Sequence, residues 1–446
     1  MMDYLTYCAA VERHRQTILD AERHIWNHPE TGFREWETSE YLAGIFERAG
    51  YAVHRAGNIP GFYADVDTGR PGPKILILGE MDCLLQPNHP EAIQGKAHSC
   101  GHNAQCAALV GVALALKEPG VLDGLCGSVR LMAVPAEELI EIEFRNQLRE
   151  QGTIRYLGGK TEFLYRGYMD GCDMAYLLHG ASSDQTDFVC YDFIGCMAKE
   201  ITYEGVAAHA GSAPHLGVNA LYAATLGLQA VNSIRETFRD HEHIRVHPII
   251  THGGSVVNTI PEKVTISTFI RGGTLDTIAE NNRKVSRALA GAAVSLGATV
   301  RTQDRAGYSP LTNSPALVQV GCDAAEVLFG PEHVDRGIYQ AFGSTDMGDL
   351  CCLMPVFQAN LGGCRGNGHS DEFCVADPEK TCVKGASLYM ILTVMLLENE
   401  AERAKEVLRK TKPLYASKEA YFRMIDELMA DRELVRYSDH GATVTY

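Results

Sequence analysis

Four short clusters of acidic, histidine and cysteine residues punctuate the first half of this chain: Glu80-Met81-Asp82, His98-Ser99-Cys100-Gly101-His102, Pro135-Ala136-Glu137-Glu138 and Leu178-His179. Thiolate, imidazole and carboxylate are together the donors of a transition-metal site. Cys100 and His102 flank a single glycine, so both side chains can leave one tight turn in the same direction. Alone, each cluster has a bland reading: Glu137-Glu138 as a solvated loop or an acidic helix start, His179 and His369 as hydrogen-bonded structural histidines. Together they give five candidate ligands, Cys100, His102, Glu138, His179 and His369. Five mixed donors exceed a closed tetrahedral zinc site and suit two adjacent ions sharing a bridging water, which is an arrangement for hydrolysis. Consecutive glutamates suit a division of labour in which one ligates and the other moves a proton. Asp82 would orient a ligating histidine, and Glu80 reads at least as readily as structural.

Three of the four clusters follow a short apolar run, and in open α/β sheets ligands bind beyond the carboxyl ends of the strands. Residues 74–78 (KILIL), 128–134 and 174–178 read as buried strands, and the stretch after Asn103 as a helix. Residues 12–49 are helical in pattern with a break at residues 28–33, which predicts two opening helices. The alternation makes this an α/β domain with a mixed central sheet. Near residue 191 the texture changes. Strand patterns at 197–203, 245–250, 263–270 and 300–302 and helical patterns at 219–238 and 275–296 give the order β-α-β-β-α-β of a split plait, an inserted ferredoxin-like α+β domain. The predicted division is residues 1–190 and 306–411 for the catalytic domain, 191–305 for the insert and 412–446 for a charged, mostly helical tail.

A formal charge of −16 and a 22% share of charged residues give no basic footprint for nucleic acid or an anionic membrane. The first residues lack a basic start followed by an apolar stretch, and no run of about 18 apolar residues occurs, so the expectation is a cytoplasmic protein with no membrane partner. Fourteen cysteines in so long a chain are not a disulfide framework.

With these motifs in order, the chain resembles the metal-dependent aminoacylase and carboxypeptidase family, in the branch of N-acyl-amino-acid amidohydrolases. HPETGF, HSCGHN, PAEE, AAHAGSAPHLGVNAL and GGSVVNTIP are similar to that family's signatures, over roughly residues 18–397. GEMDCL, CGHN, the Ile270-Arg271 end of TISTFIRG, and GSTDMG resemble most the p-aminobenzoyl-glutamate hydrolase and dipeptidase-like members. The resemblance implies that Glu137 is the general base and then the acid, that Glu138 is a ligand, and that His209 reaches from the lid of a partner subunit to the oxyanion, so that the active unit is a homodimer. It also implies that Asn258 and Arg271 bind the substrate's carboxylate or the tetrahedral intermediate. Two residue-level alternatives stand beside these: a capping His209 and an Arg271 in a surface ion pair. Asn103-Ala104-Gln105 replaces the usual Asp-Gly-His, Glu80-x-Asp82 the usual Asp-x-Asp, and Leu85-Gln86 the usual proline and its neighbour.

The expected function is hydrolysis of the amide bond of a small N-acyl amino acid or dipeptide by a metal-bridging water. Two divalent ions per chain, zinc or manganese with cobalt as a further option, would serve. Two rivals are a non-catalytic relative that keeps the groove and a thiol hydrolase with Cys100 as nucleophile.

Overall fold

The computed structural model describes residues 4–182 and 186–446 and divides into two compact units. The first comprises Met1–Asp192, Leu311–Ala341 and Thr345–Lys418, the second Phe193–Pro310, Phe342–Ser344 and Glu419–Tyr446.

The first unit is built on a nine-stranded mixed sheet. Its centre runs Ser128–Val134, Lys74–Glu80, Met174–Ser182, Val356–Arg365, all parallel neighbours. Lys74–Glu80 is buried at every position after Lys74, the continuous apolar pattern of a strand covered on both faces. Phe62–Asp67 pairs antiparallel with Ser128–Val134 and carries Val53–Arg55 beyond it; Phe188–Phe193 and Val334–Ala341 lie beyond Val356–Arg365. The helices His102–Ala115 and Gly385–Leu397 are buried almost throughout and share one core with Ile18, Ile75, Tyr176 and Phe357. Glu379–Leu397 is long and apolar enough to cross a membrane, but 89% of its apolar window is buried inside the unit, as in a core helix. Three helices open the chain where two were expected: Leu5–Glu12, Arg15–Trp26 and Trp36–Arg48. The first packs Tyr7, Ala10 and Val11 into the core.

The parallel register aligns the carboxyl ends of the central strands, with Glu80 opposite Val134 and His179 opposite Asn360. Glu80 and His179 lie at these ends, and Asp82, Glu137 and Glu138 follow just past them.

The second unit has the predicted order of elements: Gly195–Glu204, helix Ala220–Ser233, a strand in two pieces (Arg245–Val246 and Ile249–His252), Lys263–Gly272, helix Leu275–Leu296 and Thr299–Tyr308. All pairings are antiparallel, with Gly195–Glu204 between Lys263–Gly272 and Thr299–Tyr308. Asn219 caps the first helix through its side-chain oxygen, and Thr274 starts the second with a reciprocal capping box. The residues after Lys412 do more than form a helical tail. Helix Lys418–Leu428 is followed by Ala430–Glu433, which adds a strand to this sheet beside Thr299–Tyr308, and by the hairpin of Val435–Ser438 and Gly441–Val444.

Candidate metal centre

Gly101 has φ +83° and ends the loop that launches helix His102–Ala115. That left-handed turn, which glycine adopts without penalty, lets Cys100 and His102 face one space. His179 enters from the end of its strand, with Cys100 Sγ 3.4 Å from its Nε2. Its Nδ1 lies 2.9 Å from the Gly180 carbonyl, which fixes the tautomer with Nε2 toward the cluster. His102 is held in the same way: Nδ1 lies 2.9 Å from the Asp82 carbonyl oxygen and 3.2 Å from its carboxylate. Asp82 therefore orients a histidine, and its other oxygen accepts the Glu138 N–H at 2.8 Å. His369 arrives from the glycine-rich loop with φ +66°, pinned by its N–H to the Ser99 carbonyl and by Gln86 Nε2, which donates to its own carbonyl at 2.6 Å. Its Nε2 lies 3.1 Å from Glu138 Oε1.

Donor atoms within 4.8 Å of one another form two triplets that share the thiol: Cys100, His102 and His179, and Cys100, Glu138 and His369. A third triplet joins Glu80, His102 and Glu137. Thus all five candidate ligands, with Asp82 and Glu137, come together in one unit. The donor set fits two divalent ions: His102 Nε2 is buried and makes no hydrogen bond, and soft and hard donors alternate around a shared thiol. His24, His28 and Glu37 also approach one another, but the two imidazoles stack at 4.3 Å with planes 25° apart, so their in-plane lone pairs do not converge on one ion.

Burial pushes the Glu137 carboxyl well above the usual range, reinforced by the charges of Glu80, Glu138 and Asp346. Burial also opposes ionisation of Glu138, but His369 and His102 outweigh it and hold that carboxyl low. Two adjacent glutamates are therefore driven apart, one toward proton exchange and one toward a permanent anion. Burial raises the Cys100 thiol well above its ordinary value, with Glu138 adding to it, the opposite of what a thiol nucleophile needs.

Sequence reasoning missed the cations and carboxylates that surround this cluster. Lys160, wholly buried, pairs with Glu80 and with Asp346. Burial works against ionising Glu80, and Lys160 and His102 override it. Gln105 donates to the other Glu80 oxygen at 2.8 Å, so Glu80 is part of the site rather than distant structure. Glu35 accepts the Ala136 N–H, and Arg145 reaches the carbonyls of Ala136 and Glu138. Gly159 lets the Lys160 segment approach the Glu137 loop closely, since a Cβ there would collide with the Pro135 carbonyl. Asn103 donates its side-chain N–H to Glu22 at 2.7 Å.

The remaining predicted residues lie in the second unit. His209 is exposed, and its Nδ1 accepts the backbone N–H groups of Gly211 and Ser212 at 3.2 and 3.1 Å. It does cap a turn, and in doing so it places the proton on the outward Nε2. Asn258 is exposed, with its carbonyl accepting the Ala210 N–H. Arg271 donates to Ser344 Oγ at 2.9 Å and lies 3.2 Å from His247 Nε2; no carboxylate pairs with it among the described residues.

The profile of peptidase family M20/M25/M40 matches residues 62–393. One of the p-aminobenzoyl-glutamate hydrolase chains of Escherichia coli is 31% identical over 322 residues, 68% of this chain and 61% of that protein, so the match spans less than two thirds of that relative. Human Xaa-Arg dipeptidase is 28% identical over 355 residues, 75% of this chain and 73% of that protein. Among solved structures, a dinuclear metal-binding peptidase of family M20 from Bacillus subtilis superposes with a TM-score of 0.65 at 20% identity, covering 86% of this chain and 99% of that one. The donor triplets lie inside the matched span, and the chain belongs to the peptidase family M20/M25/M40, a family of hydrolases.

Proposed function

We propose that this protein is a metal-dependent amidohydrolase that releases an amino acid from a small N-acyl amino acid or dipeptide. The observation that carries the reading is the convergence of Cys100, His102, His179, Glu138 and His369 with the proton-accepting Glu137 beside them. Two divalent ions held there would polarise the scissile carbonyl and acidify water. Cys100, His102 and His179 would hold one, and Cys100, Glu138 and His369 the other. Histidine and thiolate favour zinc, and the mixed carboxylate set also admits manganese or cobalt.

Glu137 would take a proton from the attacking water and return it to the leaving nitrogen, because its carboxyl stands with Glu80 and His102 beside the donor triplets and its surroundings raise its proton affinity. His209, with its proton on Nε2, is suited to donate to an oxyanion. Arg271, free of a carboxylate partner, is suited to bind the substrate's carboxylate in bidentate fashion, with Asn258 beside it in this assignment.

A homodimer through the second unit belongs to the same proposal. The edge strand Ile249–His252 is exposed at every position, and Tyr222 is 66% and Val256 58% exposed, an apolar surface that a second copy would cover. A reducing, cytoplasmic setting is supported by all fourteen cysteines being free.

The test is to strip the protein with chelator, restore zinc, manganese or cobalt singly, and follow amino-acid release from N-acyl amino acids, aminobenzoyl-glutamate and dipeptides. Release is expected to return with metal and to be absent in Glu137→Gln that still binds its ions. Retention of more than about a hundredth of wild-type kcat by that variant would remove Glu137 from the assigned role.

A further inference from the structure

The residues on either side of Glu137, Ala136 and Glu138, have all four of their backbone polar groups bonded by three buried side chains. The Ala136 N–H donates to Glu35 Oε1 at 2.7 Å, and the Glu138 N–H donates to Asp82 Oδ2 at 2.8 Å. Both carbonyls accept from a single guanidinium: Arg145 Nη1 donates to Ala136 at 3.4 Å, and Nη2 donates to Glu138. Nη1 also donates to the Leu157 carbonyl at 2.7 Å, which anchors the fork from the opposite side.

Arg145 has no exposed surface, and among the described residues no carboxylate lies within ion-pair distance of it. A wholly buried cation bonded to carbonyl groups, with its Nε left without a partner, is costly to build even with the Glu35 and Asp82 charges nearby, and needs a reason. The loop it grips is strained: Ala136 has φ +57°, which a residue with a Cβ keeps only where its surroundings over-determine it. Room for the guanidinium is made by Gly32, where a Cβ would collide with it, and the ring of Phe33 lies 5.6 Å from the cation. Both residues come from the HPETGF loop. Two distant segments are therefore shaped around one side chain from helix Ile142–Glu150.

We infer that Arg145 is a positioning residue for Glu137: its planar fork, bonded to the carbonyls before and after that residue, sets the direction in which the Glu137 carboxylate leaves the strained loop. A point charge cannot do this. Lysine could neutralise the surrounding carboxylates but could not bond two divergent carbonyls in a plane. The inference rests on the reading of Glu137 as the proton-transferring group.

The test compares Arg145→Lys and Arg145→Ala with wild type, each loaded with the restored metal, with ion content and thermal melting measured alongside kinetics. For Arg145→Lys the expectation is two ions per chain, KM within about threefold, and kcat lower by about 100-fold, the scale of a misplacement near 1 Å. For Arg145→Ala, guanidinium ion at non-denaturing concentration is expected to raise kcat by roughly tenfold or more while leaving wild type unchanged. A folded, metal-loaded Arg145→Lys with kcat within about threefold of wild type would overturn the inference, as would a loss explained by missing ions. Failure of both variants to fold would assign Arg145 to folding and would overturn it too. The underlying reading fails separately, through an active Glu137→Gln.

Discussion

Lys160 sits where the site's negative charge is densest. Glu80, Asp346 and Glu137 all act on it in the buried region, and it pairs directly with the first two. Removing it leaves two carboxylates buried and uncompensated, whereas conserving its length without its charge tests the electrostatics rather than the packing. Lys160→Met is expected to lower stability by about 3–5 kcal/mol, read from the midpoint of denaturant unfolding of the metal-free protein. A loss below about 1 kcal/mol would mean that water or protonation already neutralises the pair. The contrast between Lys160 and the ligands also shows what a sequence can and cannot disclose at this scale. Cys100 and His102 are legible because one glycine separates them and the chemistry is local. Arg145 is illegible: in Glu141-Ile142-Glu143-Phe144-Arg145-Asn146 it reads as one more charge on a solvated helix, and what buries it is the sequence-distant Gly32 together with the fold that turns it back onto the Ala136 and Glu138 carbonyls. Lys160, 80 residues from Glu80 and 186 from Asp346, is hidden for the same reason.

At the scale of elements, polar residues inside strands mark where tertiary contacts override pattern. Val300-Arg301-Thr302 announces a strand, yet the strand continues to Tyr308 because Asp304 is buried between Lys199 and Arg432 and can therefore occupy a core position. The reverse occurs at residues 245–250, where His247-Pro248 removes a ladder donor and splits one predicted strand into two. The strands Phe62–Asp67 and Ser128–Val134 place Asp65 directly opposite Arg130, whose guanidinium donates to both carboxylate oxygens at 2.7 Å. Partial burial of Asp65 opposes ionisation, but Arg130 and then Lys74 prevail and depress its pKa. Its pKa in the fold is thus below the unfolded value, so the stabilisation is present above about pH 4 and disappears as pH falls through the folded pKa. Asp65→Asn is expected to cost about 1 kcal/mol at neutral pH, discounted because the carboxylate is one-third exposed. The difference from wild type should shrink below pH ~4 in urea unfolding of the metal-free proteins. A difference that stays constant down to pH ~2 would show that the pair contributes through packing rather than charge.

For the whole molecule, the decisive question is whether one chain carries a complete site. The metal donors, Asp82 and Glu137 belong to one compact unit, and His209, Asn258 and Arg271 to the other. The second unit also exposes the apolar edge strand Ile249–His252. If two copies join through that surface and His209 of the partner subunit serves each site, two defects on different chains can compensate. Glu137→Gln keeps a sound His209, and His209→Ala keeps a sound Glu137. Each homodimer should be nearly inactive. After exchange of equal amounts, half the dimers are mixed, and in each mixed dimer one of the two sites draws Glu137 from one chain and His209 from the other. The expected recovery is about one quarter of wild-type activity, since a two-fold interface makes the exchange of residues reciprocal. Sedimentation of the same mixture should show a dimer, and Ile249→Lys should shift it toward monomer and lower kcat in parallel. A histidine acting on its own chain gives a different result: mixing restores nothing, because every site in the mixture then lacks either its base or its oxyanion donor. Complementation therefore separates a dimer needed for chemistry from one that only covers apolar surface, which sedimentation alone cannot do.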